Sequence, residues 1–128
     1  MSGARTCLAV GLGTAAGSLC RYAVSLWVLA VAGSALPWAT LCVNALGSFL
    51  IGWLATHASR RPQTLWARLQ PLLVPGFCAG FTTFSLFGLE TVHLLRAQPG
   101  LAALYALLSL ALWLGGAWLG VRLARAGD

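Results

Sequence analysis

The stretch from Pro75 to Gly88 reads PGFCAGFTTFSLFG and lies inside an apolar run that extends from about Leu72 to Leu95. A run of this length is sufficient to cross a bilayer as a helix. Glycine, threonine and serine, however, disfavour an unbroken helix. Irregular backbone inside a membrane persists only where protein encloses it or where it lines a cavity. The stretch therefore predicts a membrane-spanning helix that is broken mid-membrane beside a site.

Three further apolar runs of similar length accompany this one. They are separated by short segments that contain glycine, proline or charge, at Gly33 to Pro37, His57 to Pro71 and Ala97 to Gly100. The runs extend from about Thr6 to Val31, from Trp38 to Thr56 and from Leu101 to Leu123. We therefore predict an all-α membrane protein in which residues 1–128 form a single domain of four transmembrane helices.

The composition agrees with a membrane protein and argues against other classes. Of the 128 residues, 59% are hydrophobic and 8% are charged, whereas soluble domains carry about 25% charged residues. All eight basic residues are arginine, and the acids are Glu90 and Asp128. These arginines stand singly or as one pair between apolar runs, so they do not form the basic face that nucleic acid requires. A disordered segment, a water-soluble enzyme and a nucleic-acid partner are therefore disfavoured.

The first run carries Gly13, Gly17 and Arg21 at intervals of four, so the three residues share one helical face. Small residues at this spacing predict close helix packing. An unpaired guanidinium inside a membrane is costly, and we expect Arg21 to face a water-filled vestibule where it attracts anions. The length of the run and the presence of Arg21 also distinguish it from a cleaved signal peptide.

The second run carries a narrow polar stripe at the same spacing of four, formed by Thr40, Asn44, Ser48 and Gly52. An amide in hydrocarbon needs hydrogen-bond partners. Asn44 therefore either bonds to a neighbouring helix or lines a pore as a donor, and the spacing leaves both interpretations open. The four cysteines have no metal-ligand spacing and are expected to be small buried residues.

Aromatic and hydroxyl side chains complete the set of candidates. Phe84 and Phe87 are three residues apart and share a helical face. The positive edge of an aromatic ring can solvate an anion without trapping it, although such a stripe is more often ordinary packing. Tyr105 and Ser109 are four apart, so their hydroxyl groups project from the same face of the fourth helix.

Three motifs make the chain resemble the Fluc (CrcB) family of small fluoride channels. They are G-x-x-x-G-x-x-x-R-Y ending at Tyr22, T-L-x-V-N-x-x-G-S-F from Thr40 to Phe49, and G-F-x-x-G-x-T-T-F-S-x-F from Gly76 to Phe87. The last two, in this order on four spans, are a very specific combination. The resemblance covers nearly the whole chain.

The resemblance implies an antiparallel dimer of four-helix subunits with two fluoride pores at its interface. Phe84 and Phe87 match the phenylalanines whose ring edges contact the ion, and Asn44 matches the pore asparagine. Arg21 matches the vestibule arginine. A polar track is implied at Thr83, Ser85, Tyr105 and Ser109.

The resemblance also implies a structural sodium ion held by backbone carbonyl groups, here those of Ala79 and Thr82. The family usually has glycine at position 79, and alanine restricts φ. Leucine stands at position 86 where threonine is common. The function implied is passive export of cytoplasmic fluoride through the cell inner membrane, without enzymatic activity. The chain has no P-loop motif that would point to nucleotide-driven transport.

The arginines predict an orientation. Four spans place both termini and the middle loop on one side, with six arginines, whereas the other side has Arg96 alone. The positive-inside rule then predicts cytoplasmic termini. A chain that forms an antiparallel dimer with itself must insert in both orientations, so the numbers of arginines on its two sides should be nearly equal. The alternative partner is an oppositely oriented homologous subunit, and we favour this heteromeric pair.

Two rival functions remain open at this point. A proton-coupled small multidrug exporter needs an embedded carboxylate, for which Glu90 is the candidate. A non-conducting assembly subunit would use its polar stripes only to hold helices together. An intramembrane enzyme is remote, because no Ser-His-Asp arrangement or nucleophile elbow is recognisable.

Overall fold

The computed structural model describes residues 3–127. Within that range, four helical spans are long and apolar enough to cross a membrane: Gly3–Ala32, Trp38–Arg60, Gln70–Ala97 and Pro99–Ala126. The same residues contain no β-strand. The predicted all-α fold with four spans is confirmed, and the chain is a multi-pass membrane protein.

Residues 3–127 contain seven α-helical segments and one π-helical segment, and all but the short segment Leu65–Arg68 belong to these spans. The segments are α1 (Gly3–Ala32), α2 (Trp38–Arg60), α3 (Leu65–Arg68), α4 (Gln70–Leu72), the π-helix (Leu73–Cys78), α5 (Ala79–Phe81), α6 (Phe84–Ala97) and α7 (Pro99–Ala126).

The second helix extends four residues beyond its predicted end near Thr56. It ends at Arg60, and Arg61 has φ −126° and ψ 70°. Pro62 follows, and a residue before proline is pushed out of the α-helical region. The break predicted from His57 to Pro71 was therefore too long. The helix continues through the polar residues that begin at His57 and ends only next to Pro62.

The third span is irregular. The π-helix Leu73–Cys78 contains Pro75, which has no N–H to donate to the preceding turn. After α5 the backbone leaves helical geometry, with φ −84° and ψ 161° at Thr82 and φ −150° and ψ 122° at Thr83. Helical geometry resumes at Phe84. Two extended residues therefore separate α5 from α6 inside the span.

Glycines allow the helices to approach closely, as the sequence predicts for α1. A Cβ atom at Gly17 would collide with the carbonyl oxygen of Phe77, so α1 packs directly against the irregular segment. Elsewhere in the bundle, a Cβ atom at Gly120 would collide with the carbonyl oxygen of Phe49. This second contact joins α2 to α7.

Many large apolar side chains point outward, among them Leu8, Leu19 and Trp118. A bilayer solvates such side chains, so they need no protein cover. The same reasoning corrects the expectation for the cysteines: Cys78 is buried, but Cys7, Cys20 and Cys42 are exposed. An apolar residue in a spanning helix can face lipid as well as the core.

The middle loop and the C-terminal end of α7 lie together. The Arg61 guanidinium donates to the Gly127 carbonyl oxygen at 3.0 Å. Near this end, the rings of Trp53 and Trp66 meet edge to face with centroids 6.0 Å apart. The arginines of the loop and of α7 therefore occupy one end of the bundle, as the count of spans requires.

Candidate functional site

The interruption of the third span is held by Asn44 on α2. Its Nδ2 donates to the Thr83 carbonyl oxygen at 2.8 Å, and its Oδ1 accepts from the Thr83 N–H at 2.7 Å. Asn44 is 4% exposed. The interhelical hydrogen bond, one of the two interpretations left open by the sequence, is therefore present, and its partner is backbone.

Thr83 also caps the helix that follows. Its Oγ1 accepts from the Leu86 N–H at 3.2 Å, which satisfies one of the donors that a helix leaves unpaired at its start. The Ser85 hydroxyl lies 3.4 Å from the Thr83 hydroxyl. Thr83 and Ser85, two members of the predicted polar track, are therefore neighbours at the start of α6.

The carbonyl groups of Ala79 and Thr82 fit a cation in one respect. In a continuous helix each would accept from the amide four residues later. The N–H groups of Thr83 and Leu86 instead donate to Asn44 Oδ1 and Thr83 Oγ1. The carbonyl oxygens of Ala79 and Thr82 can therefore still bind a cation. Ala79 has φ −66° and ψ −36°, so alanine in place of glycine introduces no backbone strain here.

Four aromatic rings form a connected group beside the interruption. The Phe84 and Phe87 centroids are 5.6 Å apart. The Phe87 ring lies 5.4 Å from that of Tyr105 and 4.9 Å from that of Trp113, which it meets edge to face. Phe87 thus packs against α7, whereas Phe84 is 74% exposed on the outer face of the chain.

A groove of about 170 Å³ opens beside this group. Its walls combine neutral polar groups with apolar and aromatic side chains, contributed by Asn44, Ser48, Ile51, Thr82, Thr83, Phe84 and Trp113. The groove therefore brings four of the predicted site residues together: Asn44, Thr82, Thr83 and Phe84.

Glu90 belongs to a second polar cluster that the sequence analysis missed. The Thr40 hydroxyl donates to its Oε1 at 2.8 Å, and the Tyr105 hydroxyl donates to its Oε2 at 2.6 Å. Glu90 and Thr40 also line a cavity of about 290 Å³ near the end of α1. The available signal was that three polar residues in three different spans all needed partners.

Arg21 lies apart from the groove. Its Nε donates to the Gly80 carbonyl oxygen at 3.2 Å, and Ser18 donates to the same oxygen at 3.4 Å. Arg21 is partly buried. The guanidinium therefore has a backbone partner in α5, and its exposure to a vestibule stays a prediction.

Two shielded polar atoms on α7 have no hydrogen-bond partner among residues 3–127. They are Ser109 Oγ and Trp113 Nε1. Ser109 was predicted from its spacing to Tyr105, and Trp113 continues the same spacing of four but was overlooked. The overlooked signal was a polar N–H on the hydroxyl-bearing face of α7.

Comparison with known proteins adds a family to this geometry. Residues 8–121 match the family described as CrcB-like protein, Camphor Resistance (CrcB). A protein named fluoride-specific ion channel FluC from Thermus thermophilus is 48% identical over 120 residues, which cover 93% of each chain. The FluC of Geobacter sulfurreducens is 44% identical over 121 residues, covering 94% of this chain and 97% of that one. The FluC of Agrobacterium fabrum is 43% identical over 117 residues, covering 91% and 93%. The chain therefore belongs to the CrcB family.

Proposed function

We propose that the chain is a subunit of a passive, fluoride-selective ion channel that exports cytoplasmic fluoride across the cell inner membrane. The names of its relatives support fluoride as the ion. The chemistry of the groove is compatible with an anion, because the residues that line it include hydroxyl and indole donors and no carboxylate. Conduction needs binding that admits the ion and also releases it, and neutral groups suit both requirements.

The exposed ring of Phe84 beside the Asn44–Thr83 pair is the observation that carries the proposal. The Phe84 ring rests against Phe87 and Trp113 on one side and is 74% exposed beside the groove, so most of its surface is available to an ion or to a second subunit. The positive edges of Phe84 and Phe87 would contact the ion, and Asn44 would complete this part of the pore. Asn44 would act there through the Thr83 backbone that it holds, as well as through its own amide.

The polar track would continue the path along the aromatic group. Thr83 and Ser85 supply hydroxyl groups at the start of α6. Tyr105 and Ser109 supply hydroxyl groups from α7, on the side where Phe87 packs. Ser109 Oγ has no partner within residues 3–127 and could donate to an ion. Tyr105 instead donates to Glu90, so its contribution would depend on that bond.

An antiparallel dimer would complete the pore. The groove opens on the outer face of the chain, so one subunit encloses an ion on one side only. A second subunit in the opposite orientation would cover the groove and, by symmetry, form a second pore at the same interface.

The carbonyl groups of Ala79 and Thr82 would hold a structural sodium ion in that dimer. Their usual helical donors are engaged elsewhere, which supports this assignment. The positive charge of the ion would attract the carbonyl oxygens of the irregular segments and so hold these segments together. A dimer that dissociates more readily when N-methylglucamine replaces sodium is the expected result, and unchanged association would count against the site.

Arg21 would concentrate anions at the entrance to the path. The Nε hydrogen bond to Gly80 fixes one edge of the guanidinium. Its remaining N–H groups would attract fluoride to the entrance of the path without holding it inside.

The partner would be either a second copy or an oppositely oriented homologous subunit. Six arginines at one end against Arg96 at the other favour the heteromeric pair, with both termini of this chain in the cytoplasm. Fluoride efflux from liposomes that carry the assembly tests the proposed function, with chloride as the comparison ion.

A further inference from the structure

Trp113 has a polar atom that no residue of its own chain satisfies. Its indole Nε1 is shielded from the surroundings and finds no acceptor among residues 3–127. An indole nitrogen can only donate, and a buried donor without an acceptor costs free energy. Tryptophan is therefore a costly choice at this position unless an acceptor reaches it.

Trp113 borders open space from which an acceptor could approach. Trp113 lines the groove together with Asn44 and Thr83. Its ring meets Phe87 edge to face at 4.9 Å and lies 6.3 Å from Phe84. The indole is thus in contact with both phenylalanines of the candidate pore.

The spacing along α7 supports the same location. Trp113 lies four residues after Ser109, which in turn lies four residues after Tyr105, so the three side chains share one helical face. Ser109 Oγ is the other shielded polar atom that lacks a partner in the described chain. Two donors without acceptors therefore lie one turn apart on the face that packs against Phe87.

We propose that the indole N–H of Trp113 is a hydrogen-bond donor to the anion that enters the groove. The inference rests on the proposed fluoride function and adds a further ligand to the same site. An N–H donor to an anion forms a stronger hydrogen bond than one to a neutral acceptor. Because the indole is uncharged, it binds the ion without the retention that a guanidinium would impose.

Replacement by phenylalanine tests the N–H group directly. Trp113→Phe keeps an aromatic ring against Phe87 and removes the donor. The matched control is Trp118→Phe on the same helix, since Trp118 is 60% exposed and its ring contacts Arg122. We expect fluoride efflux to fall about tenfold or more in Trp113→Phe, the loss of one hydrogen bond to a charged group, and to stay unchanged in Trp118→Phe.

A measurement on the unmodified protein keeps the test independent of folding in the variant. In ¹⁵N-labelled protein, the indole N–H resonance that disappears in Trp113→Phe belongs to Trp113. We expect sodium fluoride to shift this resonance downfield and sodium chloride at the same concentration to leave it in place. A resonance indifferent to fluoride, or equal efflux in Trp113→Phe and Trp118→Phe, would overturn the inference. Absence of fluoride efflux in the wild-type protein would instead overturn the proposed function itself.

Discussion

The side chain of Asn44 forms hydrogen bonds with both backbone groups of Thr83, at 2.8 Å to its carbonyl oxygen and 2.7 Å from its N–H. An amide side chain thereby replaces the helical hydrogen bonds that Thr83 would otherwise make. This pair allows two extended residues to exist within a membrane span, where unsatisfied backbone is costly. It also directs the Thr83 N–H away from the Ala79 carbonyl group.

Replacing Asn44 should therefore destabilise the fold as well as the pore. Asn44→Ala leaves two backbone groups of Thr83 without partners, each costing about 1–3 kcal/mol, so the free energy of unfolding should fall by about 2–6 kcal/mol. Thermal or denaturant unfolding in detergent measures this effect. Ser48→Ala, one turn along the same stripe and also on the groove, is the control and should change stability little. Equal stability of the two variants would contradict the role assigned to Asn44.

Phe84→Ile and Phe87→Ile should each abolish fluoride conduction while leaving assembly intact. Isoleucine keeps apolar bulk but has no ring edge to present to an anion. Phe77→Ile is the control, because Phe77 stacks on Phe81 at 5.6 Å and does not line the groove. Fluoride efflux and the size of the assembly in detergent are the measurements. Wild-type efflux in both pore variants would remove the ring-edge mechanism.

Two glycines of α7 should respond oppositely to alanine. A Cβ atom at Gly120 collides with the Phe49 carbonyl oxygen, whereas one at Gly115 meets nothing within 4 Å. Gly120→Ala should destabilise the α2–α7 contact by about 1–3 kcal/mol or more. Gly115→Ala should be neutral or stabilising by up to about 1 kcal/mol, since alanine favours helix. Unfolding of the two variants in the same detergent checks the contrast, and similar stabilities would refute the close contact.

The sequence predicted the four spans and named four of the residues that line the groove, but it missed relationships between spans. Apolar length alone located each helix, because the bilayer imposes that length. The need of Asn44 for a partner was evident, yet its spacing could not identify the Thr83 backbone as that partner. The sequence marks Glu90 as an embedded carboxylate but not as the hydrogen-bond acceptor for Thr40 and Tyr105, since those bonds depend on how three spans pack. Aromatic residues are usual in membrane spans, so the N–H of Trp113 carried no signal until its surroundings were known.

The arginine distribution predicts a single orientation. A reporter at the C-terminus should be accessible from the cytoplasm only, since six arginines lie at that end and Arg96 lies at the other. Accessibility assays on intact and permeabilised cells measure this. Equal accessibility from both sides, or conduction by the purified chain alone, would exclude the heteromeric pair.

Glu90 separates a channel from a proton-coupled exporter. Its carboxylate accepts hydrogen bonds from Thr40 and Tyr105, which suits a structural role as well as a transport role. We expect that a proton gradient drives no accumulation of organic cations in proteoliposomes. Accumulation that Glu90→Gln abolishes, with a shifted pH profile, would support the exporter instead.

The most direct test of the central claim is fluoride-electrode recording of efflux from liposomes that carry the protein in the assembly it forms in its own membrane. Matched liposomes loaded with chloride provide the comparison. The account predicts rapid, passive fluoride efflux, little chloride efflux, and loss of the fluoride signal in Phe84→Ile. No fluoride efflux, or equal efflux of the two ions, would contradict it.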